Sequence, residues 1–221
     1  MDKKTKISRV CGLLLTATPL VAFATPGYLD FYYSPTPELE FDDGSDRLEF
    51  EGDGYGLRGA APVADAVLLT AEYQKLNYDE ASVAGLGSGD VDIDDERWRL
   101  GIGLQAPEQA GFQWGLYGEY LDVTLEGGGE SFDADGFAVH VRGTLYASAA
   151  TSVYGQIGYV KLEDDEGGDA DGPEYLVGGV FSLTPQLGVF VDYRLTDLED
   201  DDGGTIKSDE LRTGLRLHFG R

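Results

Sequence analysis

The stretch Leu211-Arg212-Thr213-Gly214-Leu215-Arg216-Leu217-His218-Phe219 decides the fold. Its odd positions are apolar apart from Thr213, and its even positions hold arginine, glycine and histidine. Successive side chains of a β-strand point to opposite faces, so this alternation predicts a strand with one apolar and one polar face.

The same period recurs along the chain and predicts ten strands. They lie at about 27–35, 50–61, 66–78, 96–105, 111–124, 136–146, 151–162, 173–183, 187–198 and 207–219. The first is the least regular, because residues 28–33 place aromatic side chains on both faces. No segment after residue 24 shows the 3.6-residue period of a long amphipathic helix. Ten is an even number, as a closed antiparallel barrel with both termini on one side requires.

The connections between these strands alternate between two lengths. Short, nearly neutral ones lie at 62–65, 106–110, 147–150 and 184–186, and long ones at 36–49, 79–95, 125–135, 163–172 and 199–206. The long connections carry most of the acidic residues. Short turns at one end and long polar loops at the other are typical of outer-membrane barrels. We therefore predict short periplasmic turns and acidic extracellular loops, on strands too short for a tall barrel outside the membrane.

The N-terminal segment has the layout of a secretory signal peptide. A basic start is followed by an uncharged run at 10–24 that ends in the small-x-small pattern Ala22-Phe23-Ala24. A membrane anchor is the alternative, but the run contains Pro19 and falls short of the roughly 20 apolar residues that a spanning helix needs. We predict a signal peptide at 1–24, one barrel domain at 25–221, and export through the Sec pathway to the outer membrane of a Gram-negative bacterium.

Cysteine usage and charge exclude several classes of protein. Cys11 is the only cysteine and lies inside the predicted signal, so the mature chain has neither a disulfide nor a thiol nucleophile. The formal net charge is −25, which makes nucleic acid an unexpected partner. The 13 tyrosines and 10 phenylalanines argue against the disorder that such acidity otherwise suggests.

The polar face of the predicted strands distinguishes a membrane barrel from a soluble one. It carries an ionic set that comprises Arg58, Glu72, Arg99, Glu119, His140, Arg142, Asp192, Arg194, Arg212 and Arg216. A dry core does not hold so many charges, whereas a narrow lumen crossed by ion pairs does. The apolar face ends in aromatic residues such as Tyr73, Trp98 and Trp114, as at a membrane interface. We predict an all-β, antiparallel, up-and-down transmembrane barrel with a filled ionic lumen; a soluble periplasmic β-protein is the alternative.

Local motifs resemble those of the outer membrane protein β-barrel domain family, which is similar to the transmembrane domain of outer membrane protein A and to the Ail/OmpX group. They are the aromatic strand at 27–33, Gly-Asp-Gly-Tyr-Gly at 52–56, and the segments 173–179 and 211–219. The resemblance covers essentially the whole mature chain. It implies escort by periplasmic chaperones and insertion by the barrel-assembly machinery, with Phe219 as the terminal aromatic of the assembly signal.

Two features depart from the pattern of that family. Gly220 and Arg221 follow the terminal aromatic. The relatives usually have eight strands, so eight is the alternative to ten. The family has no common catalytic residues, and none is carried over to this chain.

Two kinds of residue suggest chemistry. His140 and His218 lie on the polar face, and a ten-stranded barrel is similar to the omptin proteases, so an outer-membrane hydrolase is one alternative function. Those proteases act through acids and a histidine beyond the membrane, whereas His140 is predicted nearer mid-strand. Two Asp-Ala-Asp-Gly repeats supply oxygen ligands that suit weak Ca²⁺ binding, although neither continues into an EF-hand loop. Their carboxylates are Asp133, Asp135, Asp169 and Asp171. No other cofactor is expected.

The sequence therefore favours a monomeric integral outer-membrane protein that contacts the lipid bilayer and lipopolysaccharide. We expect a structural or surface-interaction role carried by the acidic loops, without catalysis. A narrow channel for small solutes or ions is the other alternative, because a barrel of about eight strands is just filled by side chains while much larger ones leave an aqueous bore.

Overall fold

Antiparallel strands form a closed barrel in the computed structural model, which describes residues 27–44, 46–83, 87–165, 167–201 and 203–220. The strand segments are β1 (Gly27–Ser34), β2 (Glu38–Asp42), β3 (Arg47–Ala64), β4 (Val67–Val83), β5 (Gly87–Gln105), β6 (Phe112–Gly127), β7 (Glu130–Tyr146), β8 (Thr151–Asp164), β9 (Asp169–Ser182), β10 (Leu187–Asp200) and β11 (Thr205–Phe219). From β3 onwards each strand pairs with the next, and β1 joins β11 to β3, which closes the sheet. The predicted signal peptide lies outside the described residues. The described part contains no helix long and apolar enough to cross a membrane.

The first two segments together form a single barrel strand. Both β1 and β2 pair with β3 on one side and with β11 on the other. Pro35-Thr36-Pro37 separates them, and proline has no N–H to donate to a ladder. The barrel therefore has ten strands, which confirms the prediction over the eight-stranded alternative.

The predicted long loops are wrong, because the strands continue through them. From β3 onwards the strands contain 14 to 19 residues, whereas a tilted strand crosses a bilayer with about 9–11. The ladders include much of 36–49, 79–95, 125–135, 163–172 and 199–206. β6 and β7, for example, are joined only by Gly128 and Gly129, whose φ values of 62° and 87° suit a two-residue hairpin turn. The expectation that the strands are too short for a tall barrel is therefore also wrong.

An apolar belt surrounds the outside of the barrel below a ring of aromatic side chains. On β5 the belt consists of Leu100, Ile102 and Leu104, each more than half exposed. The aromatic ring comprises Tyr33, Tyr55, Tyr73, Trp98, Tyr120, Phe137, Tyr159, Tyr175 and Tyr193. Phe112, Trp114, Phe181 and Phe219 lie at the opposite end of the belt. Exposed apolar surface bounded by aromatic residues is the outer face of a barrel in lipid.

Beyond the aromatic ring the polarity of the two faces reverses. We call this part of the barrel the extension; it consists of β2 and of 47–53, 75–83, 87–96, 122–127, 130–135, 161–164, 169–173, 195–200 and 205–209. Its outward positions are mostly acidic, as at Asp122 and Glu126. Its inward positions are mostly apolar, as at Leu39, Phe50 and Leu76, which pack together. The acidic residues that were predicted to lie in loops belong instead largely to the outer face of an extended barrel.

Candidate functional site

The lumen within the belt contains a cluster of charged side chains that we call the ionic plug. Its members are Asp30, Arg58, Glu72, Arg99, Glu119, His140, Arg142, Glu174, Asp192, Arg194, Glu210, Arg212 and Arg216. The alternation of the strands directs all of them inward. Six arginines thus lie among six carboxylates, so the plug is close to neutral apart from His140.

The lower part of the plug is a chain of alternating charges. Asp30 accepts hydrogen bonds from Arg216 Nε at 2.6 Å and from Arg58 Nη2 at 2.8 Å. Arg58 Nη2 also reaches Asp192 Oδ2 at 3.0 Å, and Asp192 Oδ1 accepts from Arg212 Nε at 2.6 Å. These residues come from the four neighbouring barrel strands β3, β1, β11 and β10, so the chain of contacts lines one side of the lumen.

Glu72 links this chain to the upper part of the plug. Its carboxylate accepts from Arg212 Nη1 at 2.9 Å and from Arg194 Nη2 at 2.7 Å. The Tyr32 hydroxyl donates to the same group at 2.7 Å. Because Glu72 lies on β4 while the arginines lie on β10 and β11, these bonds span the bore. The carboxylate is fully engaged, as a buried charge needs to be.

A second group of charges surrounds Glu174. Arg99 donates two bonds to its carboxylate, Nη1–Oε1 at 2.9 Å and Nη2–Oε2 at 2.5 Å. His140 Nε2 lies 2.9 Å from Glu174 Oε1, and His140 Nδ1 lies 3.7 Å from Glu119 Oε2. The imidazole is almost completely buried between two carboxylates. This arrangement places the histidine inside the packed lumen and away from any exposed surface.

Aromatic rings pack the remaining space of the plug. Arg142 donates to Gln156 and to the Tyr28 hydroxyl, and its guanidinium lies 5.2 Å from the centre of the Tyr117 ring. Tyr32 lies over Gly56, where an added Cβ would overlap the ring. The residual void beside Arg142 measures about 20 Å³, space for about one water molecule. At this level of the plug the described side chains therefore leave room for about one water molecule.

All ten charged residues predicted for the lumen lie inside the barrel. Asp30, Glu174 and Glu210, which complete the plug, were not predicted. The inward direction of Asp30 was not evident, because its strand has aromatic residues on both faces. Glu174 follows Pro173 at the end of a predicted strand, where the alternation had only begun. Glu174 is separated from Leu176 and Gly178 by even numbers of residues, so all three point to the same face of the strand. This relation could have identified Glu174 as an inward residue.

A chamber of about 820 Å³ lies above the plug, inside the extension. Its wall is apolar and includes Leu39, Phe41, Leu48, Leu121, Val123, Leu125, Ala134, Val160, Leu162, Leu198 and Ile206. Its floor is formed by Arg97, Arg99, Thr196 and Ser208 at the top of the plug. Its mouth is acidic and is lined by Asp42, Asp43, Asp46, Asp164, Asp169, Asp200 and Asp201. This chamber was not predicted, because the segments that form it were expected to be loops.

Outward carboxylates of the extension crowd one another. Glu38 lies opposite Asp209 on β11 and opposite Glu51 on β3. Partial burial and then the negative charge of Asp209 raise the pKa of Glu38 above its usual value. The carboxylates on the outer face therefore repel one another near neutral pH.

The four aspartates proposed for calcium lie on two different strands, and Asp169 is also one of the residues at the mouth of the chamber. Asp133 and Asp135 belong to β7, and Asp169 and Asp171 belong to β9, with β8 between them. Lys161 of β8 forms an ion pair with Asp169 at 2.8 Å. Within the described ranges no group of three or more His, Cys, Asp or Glu residues is arranged to hold a metal ion. The structure thus does not bring the two repeats into one site.

The two remaining predicted residues lie near the lower end of the barrel. Phe219 ends β11, points outward and pairs with Gly27. His218 faces inward next to it, and its backbone N–H donates to Gln186 O at 2.8 Å.

Comparisons of the sequence with family models and with curated proteins do not assign the chain to a family. No protein-family model matches the sequence, and no curated protein matches it. The resemblance to the outer membrane protein A and Ail/OmpX group therefore stays a prediction.

Among solved structures, the outer membrane protease OmpT from Escherichia coli matches with a TM-score of 0.57 and 11% identity, over 91% of this chain and 99% of that one. An outer membrane channel from Pseudomonas putida F1 matches with a TM-score of 0.54 and 10% identity, over 90% and 97%. At such identities the likeness shows the fold alone. Together with the apolar belt and the aromatic ring, it makes this chain an integral outer-membrane β-barrel of ten strands.

Proposed function

We propose that this protein is a non-conducting, non-catalytic outer-membrane barrel that acts through its extension at the cell surface. The observation that carries this proposal is the ionic plug, whose bonds cross the lumen from β3, β4 and β5 to β9, β10 and β11. A lumen filled in this way does not offer a path to hydrated solutes. What remains accessible is the extension, with its acidic outer face and its chamber.

The same geometry argues against the two alternatives. A channel needs a continuous bore, and the void beside Arg142 is only about one water molecule in size. A hydrolase needs a general base that reaches substrate, whereas His140 is enclosed by Glu174 and Glu119. The shared fold with a protease supplies no argument for catalysis in this chain.

The proposed partners follow from the same surfaces. The apolar belt contacts the bilayer, and the acidic outer face of the extension stands next to lipopolysaccharide. Weak Ca²⁺ bridging between outer carboxylates and lipopolysaccharide phosphates is part of the proposal, as are a monomeric state and delivery by periplasmic chaperones to the barrel-assembly machinery through Phe219. The proposal also includes export through the Sec pathway.

Planar-bilayer recording of the refolded protein tests the closed lumen. We expect no discrete openings for the wild type. Arg212→Ala with Asp192→Ala removes one arginine and one carboxylate from the plug without changing its net charge, and we expect this double variant to conduct. Glu126→Gln, on the outer face, is the matched control and should stay closed. Discrete openings of the wild type would contradict the proposal and favour a channel.

A further inference from the structure

We propose that the chamber in the extension binds a small amphipathic cation, namely an apolar body that carries one ammonium group. The inference rests on the proposed function only in that the chamber opens to the cell surface. Binding itself does not require the lumen to be closed.

The size and the wall of the chamber suit an organic ligand. Its volume of about 820 Å³ falls within the roughly 300–1,000 Å³ of small-molecule sites. Leu121, Val160 and Leu198 form one packed side of the wall, with Leu162 and Ile206 against them. Water in contact with such a wall is released when an apolar body enters, and this release favours binding.

The charges around the chamber select the sign of the ligand. Among the described residues that line it, seven aspartates surround the mouth, and one of them, Asp169, is paired with Lys161. The only basic ones among these described residues are Arg97 and Arg99 on the floor. Arg97 Nη2 is 2.5 Å from Asp95 Oδ2, and Arg99 already binds Glu174. An anionic head therefore meets the acidic mouth first and finds both arginines already paired.

A cationic head is favoured at the mouth for two independent reasons. The aspartates attract it, and the net charge of −25 extends that attraction over the whole protein. The Phe41 and Phe132 rings also line the chamber. Aromatic faces attract ammonium groups, most strongly where water is displaced. The apolar body then occupies the inner part of the chamber.

Isothermal titration of the full-length mature barrel in lipid nanodiscs tests the proposal, with 4-phenylbutyltrimethylammonium as the ligand. Empty nanodiscs correct for partitioning into lipid. We expect saturable one-to-one binding with a Kd below about 1 mM. Tetramethylammonium, which lacks the body, and 5-phenylpentanoate, which reverses the charge, should each bind at least about tenfold more weakly. Equal binding of the anion, or no saturable binding of the cation, overturns the proposal.

Two variants of β7 distinguish the chamber from the outer surface. Ala134 lines the chamber, so Ala134→Phe is expected to fill it and abolish binding. Ser131 is exposed on the opposite face, so Ser131→Phe adds the same ring without entering the chamber and should leave binding unchanged. Unchanged binding in Ala134→Phe contradicts the proposal. Heat-modifiable mobility on gels verifies that each variant is folded, and Leu162→Phe replaces Ala134→Phe if the latter does not fold.

The acidic mouth has its own test. Asp46→Asn with Asp201→Asn should weaken binding of the cation at least about threefold at low salt and have a smaller effect at 1 M salt, because exposed charges are screened. An equal affinity at low salt counts against the role of the mouth. Bilayer recording of the same preparations separates the two proposals: openings without loss of binding contradict only the closed lumen, and absent binding without openings contradicts only the chamber.

Discussion

Arg99 and Glu174 form a two-point ion pair across the barrel, with Nη1–Oε1 at 2.9 Å and Nη2–Oε2 at 2.5 Å. Their strands, β5 and β9, are separated by three others. Both side chains are buried, and Thr196 donates a further bond to Glu174 at 3.2 Å. The pair therefore ties opposite walls together, and its arginine, Arg99, forms part of the floor of the chamber.

Loss of this pair is expected to be costly. Glu174→Gln removes the main counter-ion of Arg99, and breaking a buried pair from one side destabilises by about 3–5 kcal/mol. Urea unfolding in liposomes measures the change in free energy. Glu126→Gln, on the exposed outer face, should change it by less than about 0.5 kcal/mol. Equal effects of the two substitutions would show that Glu174 is not an integral part of the plug.

Gly56 leaves room for Tyr32, which donates to Glu72. Gly56→Ala should displace the tyrosine ring and destabilise the barrel by about 1–3 kcal/mol, the usual cost of overpacking. Gly118 on β6 has open space where its Cβ would lie, so Gly118→Ala is the matched control. The same unfolding assay compares them, and a smaller effect at Gly56 than at Gly118 contradicts the close packing of Tyr32 over Gly56.

The two tryptophans should report both edges of the apolar belt. Trp98 belongs to the upper aromatic ring and Trp114 lies near the lower end. Single-tryptophan variants Trp98→Phe and Trp114→Phe allow quenching by brominated lipids to be measured at each edge. We expect both tryptophans to be quenched more by bromines near the headgroups than by bromines at the chain ends. Preferential quenching of Trp98 by bromines at the chain ends would show that the membrane boundary lies higher than the aromatic ring, within the extension.

Glu38 should make the extension more stable in acid than at neutral pH. Its pKa is raised in the folded protein by partial burial and by Asp209, so its protonated form is favoured by folding. That contribution is fully present below the pKa of the unfolded chain and is lost as pH rises through the higher folded value.

Glu38→Gln should therefore stabilise the extension at pH 7 by less than about 1 kcal/mol, a small gain because the site is screened by solvent. It should have almost no effect at pH 3. Hydrogen exchange of β2 measures both, and a larger gain at pH 3 than at pH 7 is the opposite of what this interpretation requires.

Much of the fold was predictable because one period governs every strand. The alternation around Trp98 and around Leu215 fixed the lipid face, and the count of ten strands followed from it. The extension was not predicted, although Leu121-Asp122-Val123-Thr124-Leu125-Glu126 continues the same period. Beyond the membrane boundary the apolar side chains of the strands face the lumen, whereas within the membrane they face the lipid. The sequence alone does not mark where this boundary lies.

The plug was only partly predictable for a related reason. Parity identified the inward arginines, but it does not say which carboxylate meets which arginine across the bore. Asp192 contacts Arg58 from a strand 134 positions away in sequence. Such partners depend on the stagger of the closed barrel, which short-range patterns do not contain.

Cysteine labelling from outside intact cells tests the central claim, that the plug separates the chamber from the space below it. Leu162 lines the chamber, and Thr144 faces inward below Arg142. In Leu162→Cys we expect rapid reaction with a membrane-impermeant maleimide, and in Thr144→Cys no reaction until the outer membrane is permeabilised. The unsubstituted chain, whose one cysteine lies in the predicted signal, supplies the background. Labelling of Thr144→Cys in intact cells at a rate similar to that of Leu162→Cys would contradict a closed barrel.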